Sequence, residues 1–221
     1  MLLEEIKQKT DEEIRKSGYY RIFGDVDIAR LAQLSHIGTI KKGNKLEEIL
    51  FVSSAIPNKV KNYKFGKEKQ FPSKKNEPFF VTKFHIPAGT VMDAGVDIDL
   101  VLFLKNEVYI IELKDGTTFD TKKSAGEITK ITKTAKYLQE HDPYGREFIP
   151  IVAVWNATDK KQISIKDKRA TKEMLMIGRE LSNLLKINYD HICNSRMSSA
   201  PKNKKYILNQ WKQILIAEGE I

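Results

Sequence analysis

Cysteine is almost absent: Cys193 is the only one in 221 residues. A single thiol excludes a disulfide framework and a Cys-rich zinc site, and Cys193 reads as a small buried apolar residue. No apolar run approaches the ~18 residues of a membrane span. The opening segment MLLEEIKQKTDEEIRKS alternates acids and bases and lacks the basic-then-apolar pattern of a secretory signal. The expected compartment is therefore the cytoplasm, with no membrane partner. Histidine is sparse, and His36, His85, His141 and His191 show no mutual spacing that suggests a metal cluster.

Positive charge is in excess. The chain carries 38 Lys and Arg against 29 Asp and Glu, a formal net charge of +9. Apolar residues make up 41% and charged residues 30%, ordinary for a soluble globular protein, and the length allows a core without covalent staples. A basic balance of this size fits a nucleic-acid partner.

Hydrophobic periodicity predicts an amphipathic helix over residues 2–16. A second helix, capped by Asp25 or Asp27, is expected to end at Gly38, and a third to start at Asn44 with Glu47 in the capping-box position. Residues 59–77 are lysine-dense, with Tyr63, Phe65 and Phe71 interleaved, and read as a loop or irregular hairpin. Strands are expected over 79–86, 96–104, 108–113 and 147–157. Helices are expected over 124–141, 169–186 and 205–219. The order predicts an α/β sandwich whose first strands form a meander and whose fourth is reached through a helical crossover.

The segment GVDIDLVLFLKNEVYIIELKDG, residues 95–116, carries the chemistry. Alternation puts Asp97 and Asp99 on one face of their strand, and Glu112 and Lys114 on one face of the next. A two-residue loop at Lys105-Asn106 sets Asp99 opposite Glu112 and Asp97 opposite Lys114, whereas a loop two residues longer sets Asp99 opposite Lys114. Facing carboxylates on an apolar sheet repel and lose hydration, which a divalent cation relieves. Oxygen-only ligands favour Mg²⁺ or Mn²⁺ over zinc. Lys114 could then hold, or help deprotonate, a water. The alternative is a solvated strand face with one cross-strand ion pair.

GVDIDLVLFLKNEVYIIELK resembles the catalytic hairpin of the PD-(D/E)xK nuclease superfamily, most closely the type II restriction endonucleases. The resemblance makes Asp99 the motif aspartate, Glu112 the variable acid and Lys114 the lysine. Ile98 replaces the family's proline, which leaves Asp97 as a possible alternate acid. Gly43-Asn44-Lys45-Leu46-Glu47 fits the family's Gly-x-x-x-Glu, so Glu47 could join the site or simply cap its helix. The resemblance covers residues 43–56 and 78–155. It implies a restriction-endonuclease-like mixed β-sheet core flanked by helices, with extra helices at both ends of the chain. Residues 1–42 would form an N-terminal helical segment for dimerisation or DNA recognition, and 43–221 the nuclease core with a C-terminal helical extension.

The implied activity is Mg²⁺-dependent cleavage of double-stranded DNA by a homodimer, with Asp99, Glu112, the Leu113 carbonyl and Glu47 as metal ligands. Lys64, Lys67, Lys122 and Lys123 are the expected DNA contacts. Lys130, Lys133 and Lys136 read as a solvated helix face. Arg146, Asn156, Arg169 and Arg196 are unranked candidates for reading bases. A structure-selective nuclease, such as a junction resolvase or repair enzyme, and a non-catalytic DNA-binding module both remain open at this point.

Overall fold

The structure is a computed structural model describing residues 2–66, 71–72, 78–116, 121–164 and 169–219, with the side chains of Lys42, Asn44 and residues 121–125 outside the description. Its strands are β1 (Asn58–Lys61), β2 (Phe79–Ile86), β3 (Val96–Phe103), β4 (Glu107–Lys114), β5 (Glu147–Val154) and β6 (Leu175–Ile177). Its helices are α1 (Asp11–Arg15), α2 (Gly18–Phe23), α3 (Val26–Ser53), α4 (Thr121–His141), α5 (Gly178–Leu185), α6 (Tyr189–Met197) and α7 (Ala200–Ala217).

The six strands form one mixed sheet in chain order, β1 to β6. β2, β3 and β4 are the antiparallel meander. β5 joins β4 in parallel after the crossover through α4, as expected of a strand–helix–strand unit. One face is covered by Ile128, Ile131, Ala135 and Leu138 of α4, packed with Val101, Phe103, Val108 and Ile110. Phe65 and Phe84 belong to the same core. The mixed α/β architecture matches the fold class read from the sequence.

Two compact units make up the chain. One comprises residues 1–45 and 190–221, the other residues 46–189. The helical unit therefore draws on both ends of the chain. Within it Ile6, Ile14, Ala29, Leu31 and Leu34 are buried, and Arg30 pairs with both Asp11 and Asp27. The Leu3 amide donates to Asn203 Oδ1 at 2.9 Å.

Several local expectations are corrected. Residues 2–16 are not one helix. They form a 3-10 turn at Leu3–Glu5 and the short α1, whose Thr10 side chain accepts from the Glu13 amide. Gly38 does not end a helix and Asn44 does not begin one, because α3 runs unbroken through both from an Asp25 cap whose Oδ1 accepts from the Ile28 amide at 2.7 Å. Gly38 lies against Leu3: a Cβ there would be 2.7 Å from Leu3 Cδ2, which would have to shift. Glu47 is consequently a mid-helix residue and not a cap.

Residues 58–61 are a parallel edge strand, not part of a loop. Tyr63 stacks on Phe84 with ring centroids 5.4 Å apart, and Phe65 and Phe71 meet edge to face at 5.0 Å. Phe65 belongs to the core and Tyr63 and Phe71 pack against it, so these aromatics are not part of a solvated loop. The expected helix over 169–186 is a 3-10 turn, the short β6 and then α5. Met174 and Met176 lie in the first two of these, not on a helix face. α6 was not foreseen, and Cys193 on it is only half-buried.

Candidate active site

The hairpin register is the one set by the short loop. The Leu104 amide donates to the Glu107 carbonyl across Lys105-Asn106 at 2.8 Å, and the ladder runs from Phe103↔Val108 to Leu100↔Ile111. Beyond that pair the backbone ladder gives way to a side chain: the Leu113 amide donates to Asp99 Oδ2 at 2.8 Å. The carboxylate of β3 is thereby pinned to the end of β4, next to Glu112. On the other side the β2–β3 ladder pairs Thr82 with Leu100 and Phe84 with Ile98, skipping Lys83 and Asp99. Lys83 has a left-handed φ of 55°, uncommon for a lysine within a strand and typical of backbone held out of its relaxed state near functional sites.

Glu112 is 4% exposed. Its Oε1 accepts from Lys114 Nζ at 2.9 Å, and Lys130 Nζ of α4 approaches its Oε2 at 2.7 Å. The second contact is one of charge only, since Oε2 has no hydrogen-bond partner of acceptable geometry. Lys114 also donates to Glu127 Oε1 at 2.5 Å. Burial lowers the Lys114 pKa, but Glu112 and Glu127 outweigh it and leave the group above its ordinary value. Lys114 is therefore a firmly charged ammonium held between two carboxylates.

Asp99 has the opposite balance. Desolvation first, then repulsion from Glu112, drive its carboxyl up to about 7, against the Leu113 hydrogen bond that favours the charged form. Glu47, on α3, adds to this repulsion. Its own pKa is raised by burial, with Lys83 opposing and Glu112 reinforcing, and its Oε2 is buried without a hydrogen-bond partner. Asp97 stands apart from this group. It is exposed and bonded to His85 Nδ1 at 2.7 Å, which separates the two rival aspartates by environment.

An open cleft of about 570 Å³ borders Asp99 and Glu47 and is lined also by Asn62, Lys64, Lys83, His85, Asp97 and Ile98. Lys64, an expected DNA contact, lines this cleft. Lys67 lies outside the described residues, and Lys122 and Lys123 open α4 with side chains outside the description. Arg146 is 2% exposed and bound to Asp142, so it is structural rather than a reader of bases. Asn156 is tied to Asp115 and Arg169 to Thr129.

Lys130, expected on a solvated helix face, instead reaches Glu112, and the sequence does not single out Glu127. Lys130 and Glu127 both lie at the edge of the α4 stripe that buries Ile128 and Ile131, a position from which a helix side chain can reach the sheet.

Comparison with known proteins gives one informative relative. The chain is 26% identical over 223 residues to the type II restriction enzyme HhaII of Haemophilus parahaemolyticus, covering 93% of this chain and 92% of that protein. This similarity supports a restriction-endonuclease-like relationship. No family model and no solved structure matches the chain.

The donor set suits a hard divalent cation in its chemistry: carboxylate oxygens only, two of them buried without hydrogen-bond partners, and an aspartate destabilised in its charged form. Among the described residues no three acids or histidines are gathered closely enough to ligate one ion. A divalent cation here would therefore have to be held by one or two carboxylates with retained waters, and not by a closed all-protein cage.

Proposed function

We propose that the chain is a type II restriction endonuclease, a Mg²⁺-dependent hydrolase that cuts double-stranded DNA at a specific sequence to leave 5′-phosphate and 3′-hydroxyl ends. One observation carries the reading: Asp99, Glu112 and Lys114 meet at the adjoining ends of two paired strands, with the Asp99 carboxylate fixed by the Leu113 amide. The end-to-end similarity to a restriction enzyme supports it.

Asp99, Glu112 and the Leu113 carbonyl would hold the ion, with Glu47 able to complete the shell or serve a second site, and Mn²⁺ an acceptable substitute. When bound, Mg²⁺ would supply neutralisation of the scissile phosphate and of the developing negative charge. The carboxylate of Asp99 is oriented before substrate arrives. Lys114 stays charged at neutral pH, so its role is to hold and orient the attacking water by donation, not to remove its proton. Lys64 and Lys83 line the cleft and would meet phosphate oxygens of the DNA. Cutting both strands of a symmetric site calls for two copies of the chain related by a twofold axis.

Digestion of a plasmid of known sequence in Mg²⁺ tests the reading. Discrete fragments with mappable, recurrent ends are expected. Asp99→Ala and Lys114→Met should abolish cleavage while DNA binding, measured in Ca²⁺, survives. An uncut plasmid together with cleaved four-way junctions would instead assign the site to a structure-selective nuclease.

A further inference from the structure

Two lysines contact Glu112, and they are held very differently. Lys114 has two acceptors, Glu112 Oε1 at 2.9 Å and Glu127 Oε1 at 2.5 Å. Lys130 has one carboxylate within ion-pair distance among the described residues, Glu112 Oε2 at 2.7 Å, and no hydrogen-bond geometry to it. The Lys130 side chain is 22% exposed and the Glu112 side chain 6%. A flexible ammonium at the edge of solvent therefore rests against the one oxygen of a buried carboxylate that no directed bond claims. Its field also reaches Asp99, whose charged form it stabilises.

We propose that Lys130 is a resident counter-cation of the acidic site, occupying Glu112 Oε2 until a divalent cation displaces it. The inference rests on the metal-binding reading above. Three features support the exchange. Burying Glu112 without a compensating charge would be costly, so the metal-free fold needs a cation at that oxygen. Lys114 cannot serve, because Glu127 and Oε1 already fix it. The α4 backbone need not move for the exchange, since the four-carbon stem of Lys130 can carry its ammonium to solvent by rotamer changes alone.

The consequence is a competition. Lys130 stabilises the empty site and lowers the affinity of the filled one. Calorimetric titration of the full-length chain with CaCl₂ at pH 8, without DNA, reads this directly. Wild type should bind Ca²⁺ and Asp99→Ala should not. Lys130→Met should bind Ca²⁺ about tenfold more tightly, the effect of removing one unit charge a few ångströms away in a partly screened site. Lys130→Arg, which keeps the charge and guards against a Met variant that fails to fold, should bind no more tightly than wild type. Unchanged or weaker binding by Lys130→Met, or tighter binding by Lys130→Arg, overturns the counter-cation role while the metal site stands. Absence of binding by wild type, or equal binding by Asp99→Ala, overturns the metal reading and the inference with it.

Discussion

Replacing Asp99 with asparagine should make the metal-free protein more stable while destroying its activity. The side chains have the same shape, and an asparagine Oδ1 can still accept from the Leu113 amide, so the packing and the β3–β4 junction are retained. What disappears is the charge. Raising a carboxyl from 3.8 to about 7 in the folded state corresponds to a cost on the order of 4 kcal/mol once the group is ionised, at about 1.4 kcal/mol per pH unit. That shift already includes the repulsion from Glu112 and Glu47 and the attraction of Lys130, and burying a neutral amide has its own cost, so a net gain of about 2–4 kcal/mol is expected.

The pH dependence has a definite sign. Below pH 3.8 Asp99 is protonated in both folded and unfolded chains and contributes no difference. Between 3.8 and about 7 the folded chain keeps a proton that the unfolded chain has released, so wild-type stability falls as pH rises, and above about 7 the full cost is present. Thermal unfolding in EDTA should show Asp99→Asn melting roughly 5–15 °C above wild type at pH 8, with the gap closing toward pH 4. Equal melting temperatures at pH 8, or a gap that does not change with pH, would refute the account of Asp99 as a carboxylate under electrostatic strain.

Three further outcomes follow from the same structure. Glu127→Gln removes the charged partner that positions Lys114 without altering its contact to Glu112; kcat should fall about tenfold with KM little changed, and the alkaline limb of the rate profile should move to lower pH, because Glu127 helps to hold the Lys114 pKa up. Gly178→Ala should destabilise the sheet unit by more than ~3 kcal/mol in denaturant titration, because a Cβ there would lie 2.1 Å from the Trp155 carbonyl oxygen and 2.6 Å from the Tyr189 ring, contacts that no rotamer change relieves. Arg146→Met leaves Asp142 buried without its partner, so a loss of about 3–5 kcal/mol is expected by the same titration, while the folded fraction should keep wild-type affinity for DNA in Ca²⁺.

The parts legible in the sequence were those set by short-range geometry. A two-residue loop between strands of strict alternation fixes a register, and that register brought Asp99 beside Glu112. The parts that were not legible depend on distant partners. Gly38 and Asn44 carry genuine helix-stop and helix-start chemistry, yet α3 continues past both. Leu46 and Leu50 are buried further along the same helix, and Gly38 within it packs against Leu3. β1 and β6 are edge strands of 4 and 3 residues, too short for an alternation signal, and each exists because a neighbouring strand offers it a ladder. Lys130 looked like part of a solvated face because helical periodicity gives only the direction of a side chain. Whether that direction meets solvent or the end of a strand is decided by how α4 docks on β4.

The strain on Asp99 and the placement of Lys130 are two sides of one electrostatic problem. Glu47, Asp99, Glu112 and Glu127 bring four carboxyl groups into a partly buried site, against which Lys83, Lys114 and Lys130 supply three ammonium groups. A fold selected only for stability would replace one of these acids with an apolar residue, as burying unbalanced charge is rarely favourable. Keeping the excess negative charge leaves the site destabilised by an amount that the proposed divalent cation would release on binding. The same repulsion that makes Asp99→Asn stabilising would therefore supply affinity for the ion, and Lys130 would limit how far the fold is destabilised without it. The two predictions are linked in sign: a variant that relaxes the carboxylates should gain stability and lose Ca²⁺ affinity, whereas one that removes their counter-cation should lose stability and gain it.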